Sequence, residues 1–228
     1  MTDPSHPPDF ASDARGLLAL AQRSEVLKAL PRAGWLDRGL PPPVVESVAD
    51  HSFGVALLAW LSAVARHAAD VALDPCRVLL LALVHDLAEA ETGDITPYDP
   101  AALSHETDAD ARRAFLERRH VRDPSRQAMK RAAEDEAMRA LLAALPRAAR
   151  DELDSVWEEL RSAATPEARF VKQVDRLETF LQSRRYRRDD PSLPVDSFRQ
   201  EVEETIDDPL LAAIRDAALS AETDSNAG

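Results

Sequence analysis

The sequence predicts an all-α fold, a single helical bundle of about seven to nine helices. Ala, Leu, Arg and Glu are abundant, whereas the chain contains only six glycines, and this composition favours helix. No segment shows the strict alternation of apolar and polar residues that is typical of a half-buried strand. The 228 residues, of which 45% are hydrophobic, are enough for one core and do not require two.

The two ends of the chain are expected to lie outside the packed domain. Residues 1–12 are rich in proline and residues 220–228 are small and polar, so both are predicted to be flexible tails. The helical domain is accordingly expected to span residues 13–219. Within it the chain becomes strongly charged after Pro97, and two polar helices are expected over residues 99–120 and 123–145.

Charge and cysteine content exclude several classes of function. The net charge of −13 and the pI near 4.9 oppose binding to a nucleic-acid polymer, which needs a broad basic surface, but they permit a small nucleotide. Cys76 is the only cysteine, so neither an internal disulfide nor a thiolate metal cluster can form. No leader pattern is present, and no apolar run is expected to span a bilayer. These features predict a cytoplasmic protein without a membrane partner.

The segment expected to form the centre of the active site is VLLLALVHDLAEAETGDITP, residues 78–97. Its first seven residues are all apolar, which predicts a helix surrounded by other helices. His85 and Asp86 follow at once. A buried imidazole beside a carboxylate is costly to desolvate without a partner, and a divalent cation is one partner that satisfies both.

Further acids follow the His-Asp pair. Glu89 comes four residues after His85, so in one continuous helix it lies on the same side. Gly93 is expected to end that helix, Asp94 follows it directly, and Pro97 prevents its continuation. Glu89 and Asp94 are therefore candidates for acid–base work.

A lone His-Asp pair is more often a hydrogen-bonded couple than a metal site, but two other apolar helices change that balance. Residues 48–61 carry His51 in their first turn, and residues 170–181 carry Asp175 amid apolar spacing. Asp74 with Pro75 and Thr165 with Pro166 predict helix starts. Two imidazoles and two carboxylates suit manganese, cobalt, iron, nickel or zinc better than calcium, with magnesium also permitted.

Residues 31–43 form a connection whose glycines and prolines are expected to exclude regular helix. Trp35 in this connection is either a hydrophobic plug or a wall for a base or sugar. Arg32 is a candidate for binding phosphate.

Charged neighbours of the candidate ligands have two interpretations each. Glu46 or Asp50 accepts a hydrogen bond from the ring nitrogen of His51 that does not bind metal and so orients the ring, or both acids are solvated at the surface. Lys172, close to Asp175 in the sequence, neutralises a bound phosphate or forms a structural ion pair.

Four strings together resemble the HD-domain metal-dependent phosphohydrolases, and in detail the 5′-deoxynucleotidases of bacteria and their eukaryotic relatives. The strings are GWLDRG (34–39), ESVADHS (46–52), ALVHDLAEAETGDITP (82–97) and EARFVKQVDRLETFLQ (167–182). They occur in the order of the family and cover most of residues 29–186. Residues 99–133 are longer than in short members of the family, so the rim of the pocket is expected to differ.

The resemblance implies an HD-domain fold and a metal-dependent phosphomonoesterase that acts as a homodimer. Its reaction would be the hydrolysis of 5′-deoxyribonucleoside monophosphates to deoxynucleoside and phosphate. The resemblance assigns the metal to His51, His85, Asp86 and Asp175, and catalysis to Glu89 and Asp94. It gives substrate binding to Arg32, Trp35 and Ile95, with Ile95 contributing a backbone contact; Lys172 joins these candidates because of its position near Asp175. Two alternatives remain open from the residues: an HD-type hydrolase of a cyclic or pyrophosphorylated nucleotide, and a nucleotide sensor without enzymatic activity.

Overall fold

The computed structural model describes residues 10–68 and 73–225. Over these residues the chain forms twelve α-helices and one 3₁₀ turn (Glu25–Lys28), and it contains no strand beyond an isolated bridge between Pro31 and Ser47. The predicted all-α class is confirmed. Nine of the helices have nine or more residues, and three short ones of four to six residues raise the total above the expected range.

The bounds of the helices are as follows. They are α1 (Phe10–Ser24), α2 (Ala33–Asp37), α3 (Val48–His67), α4 (Pro75–Val84), α5 (Glu89–Thr92), α6 (Pro100–His105), α7 (Ala109–Glu117), α8 (Pro124–Leu142), α9 (Arg147–Ser162), α10 (Pro166–Asp189), α11 (Asp196–Thr205) and α12 (Pro209–Ser225). The predicted tails fall partly on residues 1–9 and 226–228, which lie outside the described residues. Helix occupies residues 10–12 and 220–225 of those segments.

Helices α3, α4 and α10 pack against one another and form the centre of the bundle, with α9, α11 and α12 around them. Two of these three begin at the predicted caps. The Asp74 carboxylate accepts hydrogen bonds from the backbone of the first turn of α4, and the Thr165 hydroxyl does so for α10. The core between the helices includes Val55, Ala59, Val78, Leu81, Val174 and Leu177, all fully buried.

Helix α4 is not surrounded on all sides, contrary to the sequence expectation. Val78, Leu81 and Ala82 face the bundle and are fully buried, whereas Leu80 and Leu83 are 41% and 55% exposed. The expectation failed because α4 has neighbours only on its inner side. Its outer side leaves apolar groups in contact with solvent.

Helix α3 also has an apolar outer side. An 18-residue window of this 20-residue helix has a mean hydropathy of 1.5, which by length and composition alone is enough to cross a membrane, and 39% of that window is buried. The expectation that no apolar run reaches this length was therefore wrong. Exposed large side chains recur along one side of the helix, at Phe53, Leu57, Trp60, Leu61 and Val64.

Residues 99–133 differ from the prediction in their first half. A single helix was expected over residues 99–120, but the chain forms α6 and α7. The break occurs because Asp108 accepts hydrogen bonds from the backbone N–H groups of Asp110 and Ala111 and so caps a new helix. The second expected helix is present as α8.

Arginines connect this region to the rest of the molecule. Their guanidinium groups donate to backbone carbonyl oxygens of other segments, in the pairs Arg112–Asp37, Arg113–Ser192, Arg122–Ile95, Arg122–Thr96 and Arg126–Tyr98. Because such bonds satisfy buried or half-buried carbonyls, they hold loops in place where no helix covers them.

The connection before α3 contains a helix where none was expected. Arg32 precedes α2, a five-residue helix that ends before Gly39. Gly39 has φ of 93°, a conformation that favours glycine. The short helix fits between the glycines and prolines that were expected to exclude it.

Candidate metal centre and active site

His51 lies in the first turn of α3 and is completely buried. The helix starts here because the Ser47 hydroxyl accepts from the Asp50 backbone N–H, and the Asp50 carboxylate accepts from the Ser47 N–H. This reciprocal cap satisfies two backbone donors. Asp50 is therefore committed to the helix start, and its predicted role in orienting His51 was wrong.

His85 and Asp86 lie in a turn between α4 and α5. The sequence predicted an unbroken helix as far as Gly93, and that was wrong. Adjacent residues of a regular helix point about 100° apart, but the turn brings His85 Nε2 and Asp86 Oδ2 to 3.1 Å. The Nδ1 of His85 donates to the Ala82 carbonyl at 2.7 Å, so Nε2 is the nitrogen that faces the cluster.

The four candidate ligands converge at one point. His51 Nε2 lies 3.1 Å from Asp175 Oδ1, 3.4 Å from His85 Nε2 and 3.7 Å from Asp86 Oδ2. Ligand atoms that each lie about 2.1 Å from one cation are separated by roughly 3 to 3.5 Å. His51, His85 and Asp175 each offer a ligand atom within 4.8 Å of the others, which fits a common divalent cation. Asp86, the fourth residue of the predicted set, lies beside this group and 3.1 Å from His85.

Glu178 is the carboxylate behind His51. Its Oε2 lies 2.6 Å from His51 Nδ1, so it fixes the ring with Nε2 directed at the cluster. Gly54 makes room for it, since a Cβ there would lie 2.6 Å from Glu178 Oε1. Glu46, the other predicted partner, instead accepts from the Trp35 indole N–H.

Arg32 and Asp94 lie beside the cluster. Arg32 Nη1 donates to Asp86 Oδ2 at 3.2 Å, and Arg32 Nε lies 3.8 Å from Asp94 Oδ2. Asp94 Oδ2 also accepts from the Ala33 backbone N–H at 2.7 Å. Gly93, with φ of 73°, turns the chain from α5 into this position as its type predicts. The loop after α5 and the start of α2 are thus joined through Asp94.

Glu89 is 4% exposed and has an unusual environment. Its Oε1 lies 3.8 Å from Lys130 Nζ, and its Oε2 has no hydrogen-bond partner among the described residues. Burial raises the pKa of Glu89 to about 9, with the charges of Asp86 and Asp94 adding to the effect. A buried carboxyl oxygen without a donor, beside the carboxylates of Asp86 and Asp94, is what a bound cation or its water would satisfy.

Protonated side chains balance the negative charge of the clustered carboxylates when no cation is bound. Burial and Arg32 act to lower the pKa of His51, but hydrogen bonds to Asp175 and Glu178 outweigh them and raise it to about 10. Burial acts to raise the pKa of Asp86, yet His85, His51 and Arg32 hold it well below its ordinary value. A divalent cation would displace the imidazolium proton and take over this compensation. The residues present therefore fit a divalent metal.

A cavity of about 260 Å³ lies against Asp86 and Asp175. Although the chain has a net charge of −13, seven cationic side chains line this cavity: Arg32, Arg38, Arg118, Arg119, Arg122, Lys130 and Arg176. Three of them come from the segment between α7 and α8. The cavity is a local basic site in an acidic protein, as an anionic substrate requires.

The predicted substrate residues occupy different places. Arg32 and Ile95 line the 260 Å³ cavity, and the Ile95 carbonyl accepts from Arg122 Nη2 at 2.8 Å. Lys172 lines a second cavity, which also borders Asp86 and Asp175. Their assignment to substrate binding stays a prediction.

Trp35 lines the 260 Å³ cavity, but its side chain is only 1% exposed. Its N–H donates to Glu46 Oε1 at 2.9 Å, and its ring packs against Tyr186 and Phe198. Helix α2 places Trp35 in a hydrophobic cluster, which is what the interpretation as a hydrophobic plug expects. A role in recognising the sugar stays a prediction.

Comparison with known proteins relates this geometry to a family. The HD domain family matches residues 24–213. The 5′-deoxynucleotidases HDDC2 of Mus musculus and Homo sapiens are each 35% identical to the chain, over 75% and 76% of it and 70% and 69% of their own length. The 5′-deoxynucleotidase hdd1 of Schizosaccharomyces pombe is 31% identical over 71% of this chain and 68% of its own.

Solved structures show the same fold. A conserved hypothetical protein from Pyrococcus furiosus has a TM-score of 0.64 at 25% identity, over 89% of this chain and 99% of that one. A protein from Pyrococcus horikoshii also has a TM-score of 0.64, at 28% identity over 89% and 96% of the two chains. The resemblance inferred from the four strings is confirmed, and the chain belongs to the HD domain family.

Proposed function

We propose that the protein is a divalent-metal-dependent 5′-deoxynucleotidase that hydrolyses 5′-deoxyribonucleoside monophosphates to deoxynucleoside and phosphate. One observation carries the proposal. Two imidazoles and two carboxylates lie together beside a cavity that is lined by seven cationic side chains, in a chain whose relatives are named 5′-deoxynucleotidases.

His51, His85, Asp86 and Asp175 would hold the metal. A divalent cation there supplies Lewis-acid stabilisation of the charge that develops on the phosphoryl group. Two His and two Asp suit manganese, cobalt, iron, nickel or zinc, with magnesium permitted. Glu178 keeps His51 in the orientation that binding requires.

The remaining side chains bind the substrate and move protons. Arg32 contacts Asp86 and lines the cavity, so it is placed to donate to phosphate oxygens. Lys172 would approach the same phosphate from the second cavity. Glu89 and Asp94 are the acids that activate water and protonate the leaving 5′-oxygen. Glu89 has the uncommitted oxygen, whereas Asp94 is held by the Ala33 N–H.

Phosphate release from a panel of nucleotides tests the proposal. The panel contains deoxy- and ribonucleoside 5′-monophosphates, a 3′-monophosphate, a cyclic nucleotide and a pyrophosphorylated nucleotide, each with several divalent metals. Release from the deoxy 5′-monophosphates at the highest kcat/KM is expected, with His85→Ala inactive. Preferred cleavage of a cyclic or pyrophosphorylated nucleotide would contradict it, as would binding without turnover.

Trp35 is proposed to contribute to sugar selectivity from the cavity wall. An apolar wall leaves a 2′-hydroxyl without a hydrogen-bond partner, at a cost of roughly 1–3 kcal/mol. Trp35→Phe, which retains an aromatic ring in the cluster, is expected to narrow the gap in kcat/KM between deoxy- and ribonucleotides. Unchanged discrimination together with a lower melting temperature would make Trp35 a core residue only.

We further propose that the protein acts as a homodimer in the cytoplasm. The outer sides of α3 and α4 expose Phe53, Leu57, Leu61, Leu80 and Leu83, an apolar surface that a second copy could cover through the same residues. Cys76 is a free exposed cysteine, which is compatible with a reducing compartment.

Light scattering after size exclusion tests the dimer. Leu57→Asp with Leu61→Asp should give a monomer, whereas Val121→Asp, at an exposed apolar residue outside the surface, should leave the dimer intact. A monomeric parent protein would contradict the proposal, and binding of the parent to lipid vesicles would assign the surface to a membrane instead.

A further inference from the structure

A second cavity, of about 200 Å³, also borders the candidate metal ligands. It is lined by His85, Asp86 and Asp175, and its remaining wall comes from α8, α9 and α10. It shares Asp86, Lys130 and Asp175 with the 260 Å³ cavity. The metal centre therefore borders two cavities, of which the proposed reaction uses one for the nucleoside.

Three side chains with hydrogen-bond donors line the second cavity and have no acceptor among residues 10–68 and 73–225. Trp157 is 8% exposed, and its indole N–H is buried without a partner. Lys172 and Arg131 form no hydrogen bond or ion pair within the part of the chain that the structure describes. A buried N–H is seldom left unpaired in a folded protein, so the Trp157 N–H calls for an acceptor in the cavity, beside the half-buried Lys172 and the exposed Arg131.

The charges around the donors favour an anion over a neutral acceptor. The nearby acid Glu134 is engaged by Lys130 at 2.5 Å, and Arg161 by Asp135 at 2.8 Å. The pKa of Lys172 is lowered, first by burial and then by the positive charges of Arg131 and Arg176. Asp175 and Glu134 oppose this lowering, but neither forms an ion pair with Lys172 or Arg131 among the described residues.

We propose that the second cavity binds inorganic phosphate released at the metal centre, through the Trp157 N–H, Lys172 and Arg131. A tetrahedral oxyanion accepts hydrogen bonds from all three donors and supplies the missing negative charge. The nucleoside then leaves by the 260 Å³ cavity and phosphate by the other. This assignment rests on the proposed function only for the origin of the phosphate.

Calorimetry of the metal-loaded protein with inorganic phosphate, together with phosphate inhibition of turnover, tests the site. Trp157→Phe removes one donor and keeps an aromatic ring, so the Kd and inhibition constant for phosphate should rise about threefold to tenfold. Its kcat and KM for the deoxynucleotide should stay at parental values. Arg131→Gln should weaken phosphate binding as well. Arg147→Gln, at a side chain 93% exposed on α9, serves as the control and should change nothing.

Other outcomes would overturn the proposal. Parental phosphate affinity in both Trp157→Phe and Arg131→Gln would mean that the metal alone holds phosphate. Weakened binding of free deoxynucleoside with unchanged phosphate affinity would make the cavity a base pocket. Weakened phosphate binding in both variants would support the anion site even if the nucleotide panel showed no turnover, and the two proposals can therefore fail separately.

Discussion

The metal centre and the rim of the 260 Å³ cavity are held in place by different forces. His51, His85 and Asp175 project from or directly follow three helices that bury apolar side chains against one another. The rim contributed by residues 99–133 is attached by arginines that donate to loop carbonyls. Substitutions should therefore abolish metal binding in the first region and change only rates in the second.

The largest effect is expected from removing a ligand. His85→Ala or Asp86→Ala takes one donor from a set of four, so bound metal should fall to background by elemental analysis. Phosphate release should drop on the order of a thousandfold or more, because a Lewis acid contributes several kcal/mol. Full metal occupancy in either variant would remove that residue from the ligand set.

Glu89→Gln should separate chemistry from binding. The amide cannot exchange a proton at neutral pH, so turnover should fall on the order of a hundredfold while metal content and KM change little. Parental turnover would show that Glu89 has only a structural role.

The same variant should also change the pH dependence of stability. Burial raises the pKa of Glu89 from 4.5 to about 9, so the metal-free folded state binds the proton more tightly than the unfolded state does. Unfolding free energy is consequently lost as pH rises from about 4.5 to about 9. Metal-free Glu89→Gln should be more stable than the parent by on the order of a few kcal/mol at pH 9, and by almost nothing at pH 4. An equal difference at both pH values in urea titrations would refute this.

Glu178→Ala should weaken metal affinity by about tenfold to a hundredfold, because the His51 ring loses the acceptor that orients it. Competition with a chelator measures this change. Glu178→Gln, which keeps an acceptor oxygen, should recover part of the affinity, whereas Glu203→Ala on the surface of α11 should have no effect. If Glu178→Ala only lowered the melting temperature, the carboxylate would not orient the ligand.

The smallest effect is expected at the rim. Arg122→Ala removes the donors to the Ile95 and Thr96 carbonyls, so the loop that carries Asp94 should lose its position and kcat should fall about tenfold with metal retained. Arg126→Ala, which frees the Tyr98 carbonyl farther along, should have a smaller effect. Metal loss in Arg122→Ala would show that the two regions are not independent.

The metal ligands could be predicted from the sequence because buried helices show a periodic pattern of apolar residues. His51 and Asp175 are polar residues within that apolar pattern. Glu178 could have been found as well, since it lies three residues after Asp175 and so on nearly the same side of α10. The role of Arg122 in holding the loop before Tyr98 could not have been predicted from the sequence. A side chain that donates to the carbonyl of a distant loop leaves no periodic pattern in the sequence.

Two local conformations also could not be predicted. The break after Val84 occurs within residues that favour helix, and the interactions of His85 with Ala82 and with the cluster outweigh that preference. In the connection before α3, glycine and proline suggested irregular structure, but Trp35 gains a hydrogen bond to Glu46 and a hydrophobic cluster by forming α2.

The bond between the Ala33 N–H and Asp94 joins two loops through a main-chain amide. Only proline at position 33 could delete this donor, so side-chain substitutions there leave it in place. The amide proton can exchange with deuterium only when the loop carrying Asp94 moves away from α2. Deuterium uptake at this single position therefore reports how often the active-site loop opens, with or without nucleotide, in the unmodified protein.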